Sequence, residues 1–469
     1  MGNRKPNVVF ILADDLGWMD TSLYGSKLCE TPNIDALAER GMMFTNAYAA
    51  NPLCSPTRCS VLTGLWPSRV GITTPACHLD RVILESTLQE RTQPFNKALT
   101  ANSVTRLKTE YPTFSKTFHD AGYKTAHIGK WHLGAEPYSP FEHGFDIDIP
   151  HTPAPSPLPN GWFAPWKVYP DAGEQGEHLE DRMAQEAVDF IREHRDQPFY
   201  LNFWQFSVHS PWHAKQDLID KYAKRVDPAN PQRNAVYAAM VESMDDAVGR
   251  LIETLVEEDL MEDTIIVFFS DNGGVHWSEY EHVHPEYKGI PITSNAPLRG
   301  GKANTYEGGS REPLIVVWPG QVEPGSRNEQ DIVQSIDFFA TLTEMCGLES
   351  PEITDGISFV PALTGGNLER DTIYCHFPHY TPAADGLPST WVRRGDWKLI
   401  RFYCENEDQT DLLELYNLAE DIGESNNLAD ANPELAKELN ELIEQFLVHS
   451  GAVVPKPNPS YDPESKRPG

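Results

Sequence analysis

The sequence predicts an α/β fold, namely a doubly wound, mostly parallel sheet followed by a smaller C-terminal α+β subdomain. Apolar, β-branched runs at residues 7–13 and 264–269 are typical of parallel strands that are buried on both faces. Segments with helical periodicity alternate with these runs, as a doubly wound sheet requires. Beyond about residue 366 the pattern changes to short strands around a tight turn and one amphipathic helix. These observations predict two structural units in the chain.

The elements of the first unit can be placed in order. After the strand at 7–13, Thr31 and Pro32 predict the start of a helix, and a second helix is predicted to begin near Cys54. Residues 77–111 are mixed and polar, which indicates an insertion or a lid. The other predicted strands cover residues 124–128, 198–206, 264–269 and 314–318, and the predicted helices cover 32–40, 54–64, 113–120, 177–193, 234–257 and 332–346.

The second unit reads as an antiparallel sheet with a helix. Gly395 and Asp396 predict the turn of a hairpin over residues 391–402, and Asn432 predicts the cap of a long helix. A further short strand is expected at 412–417. The predicted boundaries are 1–365 for the α/β domain, 366–450 for the C-terminal subdomain and 451–469 for a Pro-rich tail, extended or disordered.

Composition and charge exclude several classes of protein. The formal net charge of −31 argues against nucleic-acid binding through a basic field. No apolar run approaches the roughly 20 residues of a membrane-spanning helix. Seven scattered cysteines argue against a disulfide scaffold, although one or two bridges stay open. We expect a periplasmic or secreted protein whose signal peptide is absent from this sequence, and a cytoplasmic location stays open.

The first candidate for a reactive residue is Cys54. Pro56 suits the first turn of a helix, and Val61 and Leu62 give that helix an apolar side. Cys54 would then lie at the helix N-terminus, where unpaired N–H groups favour an anion. Arg58, one turn further, can face the same spot. A buried cysteine beside a helix cap explains Cys54 alone equally well.

Two pairs of oxygen-bearing side chains follow two buried strands. Asp14-Asp15 comes after the first strand, and Asp271-Asn272 comes after the strand at 264–269. Ligands of open α/β sheets bind beyond the carboxyl ends of strands, so both pairs can meet at one edge. Three carboxylates and an amide oxygen suit Ca²⁺ or Mg²⁺ better than zinc. For either pair alone, a solvated turn or a helix cap is the simpler interpretation.

Several blocks together resemble one known family. The run Cys54, Pro56, Thr57 and Arg58, followed by Leu62-Thr63-Gly64, resembles the activation motif of the formylglycine-dependent sulfatases. In that family a separate enzyme oxidises the cysteine to a formylglycine aldehyde. The similarity extends over about residues 5–450. The other blocks that carry it are Gly122–Thr125 with Gly129–His132, Ser270–Gly273, Pro297–Lys302 and Glu414–Leu418.

The resemblance implies an alkaline-phosphatase-like fold and the hydrolysis of a sulfate ester. It implies that Ca²⁺, or alternatively Mg²⁺, is held by Asp14, Asp15, Asp271, Asn272 and the modified Cys54. It also implies that the sulfuryl oxygens are neutralised by Arg58, Lys130 and Lys302, that His209 protonates the leaving group and that His132 is the base that helps to expel sulfate.

A sulfated carbohydrate is the expected substrate, and a formylglycine-generating enzyme is the expected partner during maturation. The loops at 135–175 and 275–296 are rich in aromatic residues and histidines that could contact a sugar ring, although surface packing explains them about as well. The candidate substrate contacts are Trp162, Trp212, His213, His276 and Arg299.

Two other functions stay open at this point. One is a phosphonate monoester or phosphodiester hydrolase of the same superfamily, which can also use a formylglycine. The other is a non-catalytic binder of sulfated glycans in which Cys54 is never oxidised.

Overall fold

Nine strands form one large sheet in the computed structural model, which describes residues 5–157, 161–167, 169, 172–278 and 285–465. The strands of this main sheet are β1 (Asn7–Ala13), β2 (Met42–Tyr48), β3 (Lys124–Gly129), β4 (Ile147–Ile149), β5 (Phe199–Trp204), β6 (Thr264–Ser270), β7 (Arg311–Val317), β8 (Ser326–Asn328) and β9 (Val333–Gln334).

The strand order places β1 near the middle of the sheet. The order is β8-β2-β7-β6-β1-β5-β3-β4, and β9 also pairs with β2. Strand β1 is parallel to both of its neighbours, β5 and β6, whereas β7 runs antiparallel to β2 and β6. The carboxyl ends of β1, β5 and β6 therefore meet at one edge.

Helices cover both faces of the main sheet. Alternate residues of β1 belong to different cores: Val9 and Ile11 pack on one side, and Val8, Phe10 and Leu12 pack on the other. The helices are α1 (Pro32–Ala38), α2 (Cys54–Thr63), α3 (Pro67–Val70), α4 (Phe114–Asp120), α5 (Leu179–His194), α6 (Gln216–Ala223), α7 (Ala235–Glu257), α8 (Glu307–Ser310), α9 (Phe338–Met345), α10 (Val360–Leu363) and α11 (Pro433–Ser450). The first core contains helices α1, α5, α6 and α7, and the second contains α2, α4, α9 and α10.

A separate antiparallel sheet follows in the C-terminal region. It consists of β10 (Thr372–Phe377), β11 (Ser389–Arg394), β12 (Trp397–Phe402) and β13 (Leu412–Asn417), paired in chain order. Helix α11 covers one face through an apolar stripe that includes Leu439, Ile443 and Phe446. The other face packs on the main domain, where Trp391 and Ile400 contact the cluster around Tyr48. The predicted fold class is confirmed.

Local differences from the sequence prediction have physical causes. The helix predicted over 332–346 is wrong at its start, because residues 333–334 pair with β2 and α9 begins only at Phe338. In the tail, Lys456–Pro457 pairs with Ala98–Leu99. No helix within the described ranges is long and apolar enough to cross a bilayer.

Candidate active site

The two predicted carboxylate pairs meet at the edge where β1 and β6 end. The backbone N–H of Asp271 donates to the carbonyl of Ala13, and the N–H of Asp15 donates to Oδ1 of Asp271 at 3.2 Å. The side chains of Asp14, Asp15, Asp271 and Asn272 are all buried. The parallel pairing of two hydrophobic strands therefore brings these groups together, as their positions after the strands predicted.

Cys54 lies beside them, at the start of α2. Its Sγ is 3.5 Å from Oδ1 of Asp14, and only 1% of the residue is exposed. Potential ligand atoms of Asp14, Asp15, Cys54 and His209 all lie within 4.8 Å of one another. Burial raises the pKa of the Cys54 thiol to about 12, so the unmodified side chain is a neutral thiol at neutral pH.

Three cations pair with the three carboxylates. Arg58 donates from Nε and Nη2 to Asp271 at 2.9 and 2.7 Å. Nζ of Lys130 lies 2.6 Å from Oδ2 of Asp14, and Nζ of Lys302 lies 2.6 Å from Oδ1 of Asp15. We call these six residues the site cluster. Their formal charges balance, so a bound divalent ion would make the cluster positive within a strongly acidic protein.

The pKa values in the site cluster follow from these pairs. Burial is the largest single effect on Asp15 and favours its neutral form, but Lys302, His209 and Lys130 together outweigh burial and lower the pKa of Asp15 below its usual range. Burial is also the largest single effect on Lys302 and disfavours its charge, but Asp15, Cys54 and Asp14 together outweigh burial and raise the pKa of Lys302. Both groups of this pair are therefore ionised at neutral pH.

Asn272 indicates that the oxygen atoms of this site fit a cation that prefers oxygen ligands. Its Nδ2 donates to Oδ1 of Asp15 at 2.9 Å. Its Oδ1 is buried and has no hydrogen-bond partner among the residues that the structure describes. A buried acceptor without a donor is costly, and a cation would satisfy it. The amide and carboxylate oxygens thus fit Ca²⁺, whereas a cysteine sulfur is a poor ligand for a hard ion.

Two histidines lie beside the site cluster. Nε2 of His209 is 3.8 Å from Oδ2 of Asp15, and its Nδ1 is 2.9 Å from the carbonyl oxygen of Ser210. Burial and the Lys302 ammonium lower the pKa of His209 to about 3. His132 is buried, and burial together with Lys130 lowers its pKa well below the usual value. Both rings are therefore neutral in this arrangement.

The five candidate substrate contacts differ in how much of each side chain is exposed. Trp162 is fully buried and donates from Nε1 to the carbonyl of Pro211 at 2.6 Å, and Trp212 is 2% exposed. His213 is exposed and His276 is partly exposed. These side chains differ in whether a ligand could reach them, and their role in substrate binding stays a prediction.

A second cluster of buried charges holds the loop that carries Lys302. Glu307, five residues later, accepts from Nζ of Lys398 at 2.9 Å, and the same Nζ lies 2.9 Å from Oε1 of Glu424. The Glu307 N–H donates to the other oxygen of Glu424 at 2.6 Å. We call this group the interdomain cluster, and it consists of Glu307, Arg311, Arg393, Lys398 and Glu424.

Arg299 belongs to the same contact between domains. Its guanidinium donates to the carbonyl of Glu424 at 2.7 Å and to the hydroxyl of Tyr416 at 3.2 Å, and it stacks 3.6 Å from the centre of the Tyr306 ring. Although the residue is exposed overall, these contacts fasten the Lys302 loop to the C-terminal sheet. Sequence reasoning missed this function.

Sequence reasoning also missed His78, whose Nδ1 lies 2.9 Å from Nε2 of His132. His78 lies in the segment that was predicted to be an insertion, and no periodicity or motif there distinguishes it. The interdomain cluster could not be predicted from the sequence for a similar reason, because Glu307 and Lys398 are 91 residues apart. Neither contact has a signal within a single local stretch of sequence.

Carboxylates, cations and histidines that converge at the edge of a doubly wound sheet define a hydrolase of anionic esters. Comparison with known families makes the class specific. The sulfatase family model matches residues 6–348, and the model described as N-sulphoglucosamine sulphohydrolase, C-terminal, matches residues 301–449. The chain belongs to the sulfatase family and is a sulfuric ester hydrolase, which confirms the predicted resemblance and enzyme class.

Individual relatives cover nearly the whole chain. The N-acetylgalactosamine-6-sulfatase of Homo sapiens is 30% identical over 96% of this chain and 87% of its own length. A sulfatase of Formosa agariphila is 31% identical over 96% of this chain and 90% of its own. The crystal structure of Ps i-CgsB in complex with k-i-k-neocarrahexaose has a TM-score of 0.75 at 27% identity, covering 94% and 93% of the two chains.

Proposed function

We propose that this sulfatase removes sulfate from a sulfated poly- or oligosaccharide, with Cys54 oxidised to formylglycine and Ca²⁺ bound at the site cluster. The observation that carries the proposal is the position of Cys54, 3.5 Å from Asp14 and within reach of Asp15 and His209. Relatives support the substrate class, since one is named for N-acetylgalactosamine-6-sulfate chemistry and one was solved with a neocarrahexaose.

Four side chains and residue 54 would hold the cation. Asp14, Asp15 and Asp271 supply carboxylate oxygens, and Asn272 supplies the buried amide oxygen that otherwise lacks a partner among the described residues. When bound, the ion supplies positive charge that favours an ionised oxygen nucleophile and attracts the sulfuryl group. The formylglycine of residue 54 would add water to its aldehyde, and one hydroxyl of this hydrate would supply the nucleophilic oxygen in place of a neutral thiol. The second hydroxyl on the same carbon would then lose its proton to expel sulfate and restore the aldehyde.

The three cations of the site cluster would neutralise charge on the sulfuryl oxygens, Lys302 by direct contact and the two buried cations through their electrostatic field. Lys302 retains 11% exposure at its side chain, whereas Arg58 and Lys130 are fully buried. Buried cations act in a low dielectric, so each contributes more to stabilising developing negative charge than it would at the surface. Lys302 therefore contacts an entering ester first, while Arg58 and Lys130 hold the carboxylates in place.

Proton transfer falls to the two histidines. His209 holds its Nδ1 proton on the carbonyl of Ser210, which leaves Nε2 facing Asp15 and the site. A sugar alkoxide is a poor leaving group. Once the bound ester brings negative charge to the site, Nε2 of His209 would take up a proton from water and give it to the departing oxygen. His132, two residues after Lys130, is the candidate base.

The test combines mass spectrometry with parallel assays. We expect the peptide that carries Cys54 to be about 18 Da lighter than the cysteine form, because formylglycine replaces a thiol by an aldehyde. We expect release of sulfate from members of a panel of sulfated galactosides, glucosamines and carrageenan oligosaccharides, with the unsulfated sugars as controls. A matched variant, Cys346→Ser, alters a partly buried cysteine outside the site and should retain activity.

Other outcomes would select the alternatives. Faster hydrolysis of an aryl phosphodiester or phosphonate monoester than of any sulfate ester would favour the phosphonate and phosphodiester hydrolases of the superfamily. An unmodified Cys54 in protein from an organism with a formylglycine-generating enzyme, together with glycan binding and no turnover, would favour the non-catalytic binder. Either result would contradict the proposal.

A further inference from the structure

The segment between α3 and α4 places His78 against His132. Arg106 braces the backbone on both sides of His78, since its guanidinium donates to the carbonyl of Cys77 at 3.0 Å and to the carbonyl of Leu79 at 2.6 Å. Arg106 is itself buried. The position of His78 is therefore fixed by the fold rather than by a chance contact of two surface side chains.

The two imidazole rings share one hydrogen bond. Nδ1 of His78 lies 2.9 Å from Nε2 of His132, and the ring centroids are 5.1 Å apart with planes tilted by 44°. At this distance one nitrogen carries the proton and the other accepts it. The bond thus offers a route along which a proton can cross between the rings.

The pair extends from the buried site to solvent. His132 is 1% exposed, and its Nδ1 is buried without a hydrogen-bond partner among the described residues. His78 is partly exposed. Burial, Lys130 and Arg106 keep the pKa of His78 below its usual value, so this ring is neutral at rest and free to take a proton briefly.

The charges around His132 favour one direction of the shared bond. Burial, Lys130, His78, Arg58 and His209 act on its pKa, and Lys130 and Arg58 carry fixed positive charge. Near fixed cations a nitrogen lone pair is favoured over an N–H group. We therefore expect the inner Nδ1 to be unprotonated and the outer Nε2–H to donate to His78.

We propose that His78 is the positioning residue that holds His132 in its basic tautomer and conducts its proton to solvent. The inference rests on the proposed function, in which His132 is the base of the reaction. His78 itself does not touch the reacting atoms.

The proton transfers balance without another reactant. Nδ1 of His132 takes one proton from the site, and the proton on its Nε2 crosses to Nδ1 of His78. His78 then releases the proton on its own Nε2 to water. Only N–H bonds break and form, and one proton has moved from the site to solvent. A proton that returns by the same route restores the first arrangement.

The first test uses ring ¹⁵N NMR of histidine-labelled protein and needs no activity. In the Cys54→Ser protein we expect a His132 signal, identified by its loss in His132→Asn, with Nε2 protonated and Nδ1 unprotonated. Substitution His78→Ala should abolish this preference, whereas His78→Asn, which keeps an acceptor at the position of Nδ1, should retain it. A protonated Nδ1 of His132, or a spectrum indifferent to His78→Ala, would overturn the proposal.

The second test measures kcat and KM of the variants with and without added imidazole. We expect His78→Ala to lower kcat by about 10- to 100-fold, the usual effect of removing a supporting partner, with little change in KM. Added imidazole should restore part of kcat, because a small base can enter the partly exposed site. His78→Asn should retain the fold but lose kcat and resist rescue. The exposed His119 supplies the control, His119→Ala, with unchanged turnover.

The outcomes separate this inference from the proposed function. A wild-type protein that hydrolyses no sulfate ester would contradict the function, while the NMR spectra would still judge the pairing of the rings. An active wild type whose His78→Ala variant keeps full kcat would overturn the inference alone.

Discussion

The site cluster and the interdomain cluster both bury full charges, and the loop between Lys302 and Glu307 joins them. In the interdomain cluster, neighbouring groups hydrogen-bond to the ions: the Tyr48 hydroxyl donates to Glu307 at 2.6 Å, and the carbonyl of Thr45 accepts from the Arg311 guanidinium at 2.8 Å. Beside the site cluster, the Asn272 amide oxygen is left without a donor among the described residues, and Lys302 within the cluster keeps some exposure.

The difference shows how one protein uses buried charge in two ways. Removing charge from water is costly unless every group is paired and hydrogen-bonded. In the interdomain cluster, Oε1 of Glu424 has no hydrogen-bond partner among the described residues, but it lies 2.9 Å from Nζ of Lys398, so its charge is paired within the protein. This pairing favours a structural role. The site cluster balances its charges, but the neighbouring Asn272 oxygen lacks a donor among the described residues and Lys302 is partly exposed. These two features favour the binding of a charged ligand. The predictions below break or sharpen this contrast.

The largest expected effect is on turnover in the site cluster. Cys54→Ser should lower kcat by at least about 10⁴-fold, since losing a nucleophile removes most of the rate enhancement. A serine side chain has a single hydroxyl. Once that hydroxyl is sulfated, its carbon carries no second hydroxyl that could expel the sulfate. Sulfate release at saturating substrate measures the loss, and the thermal midpoint should stay within error of the wild type. Turnover near that of the wild type would remove residue 54 as the nucleophile.

The next effect concerns stability in the interdomain cluster. Lys398→Met should lower the free energy of unfolding by about 3–5 kcal/mol, because Glu307 and Glu424 would stay buried without their ammonium partner. Chemical denaturation monitored by tryptophan fluorescence measures it. Arg394→Met removes a cation from the same sheet that pairs with Glu438 in solvent, and it should leave the midpoint nearly unchanged. Equal effects of the two variants would contradict the contrast.

A smaller effect tests the cation itself. Ca²⁺ at about 100 times its dissociation constant should stabilise the wild type by about 2.7 kcal/mol, because it binds only the folded site cluster. EDTA should remove both this gain and the activity. The gain should vanish in Asp14→Asn but persist in Asp189→Asn, which alters an exposed carboxylate on α5. Activity that survives in verified metal-free protein would exclude the ion from the reaction.

The smallest effect separates packing from substrate binding. Trp162→Phe should lower the free energy of unfolding by about 1 kcal/mol, because the carbonyl of Pro211 loses a hydrogen bond. KM for a sulfated oligosaccharide should not change, since the ring is fully buried. A severalfold rise in KM would instead support the predicted contact with substrate. Trp397→Phe, in the C-terminal hairpin, is the matched control.

Sequence alone predicted the features that depend on local pattern. The apolar strand at 7–13 coincides with β1, and the hairpin turn at Gly395-Asp396 separates β11 from β12. Convergence of Asp14 and Asp271 also followed, because both pairs come directly after buried parallel strands. These signals lie within a few residues of one another and need no knowledge of the rest of the chain.

Features that depend on distant pairing were not predictable. Strand β2 alternates irregularly, and its residues form a strand because β7 and the short β8 and β9 pair with it. Trp162 lies in a segment rich in aromatic residues that suggested a sugar-binding wall, yet tertiary packing buries it completely. The His78–His132 contact likewise arises only when a polar segment folds over the sheet edge.

The tail has a consequence for the order in which the protein can be completed during synthesis. Nδ2 of Asn458 donates to the carbonyl of Asn96 at 2.8 Å, across a separation of 362 residues, and Lys456–Pro457 pairs with Ala98–Leu99. The region downstream of His78 thus gains these contacts only after residue 458 has left the ribosome. A nascent chain that ends before residue 456 lacks these contacts between the tail and residues 96–99.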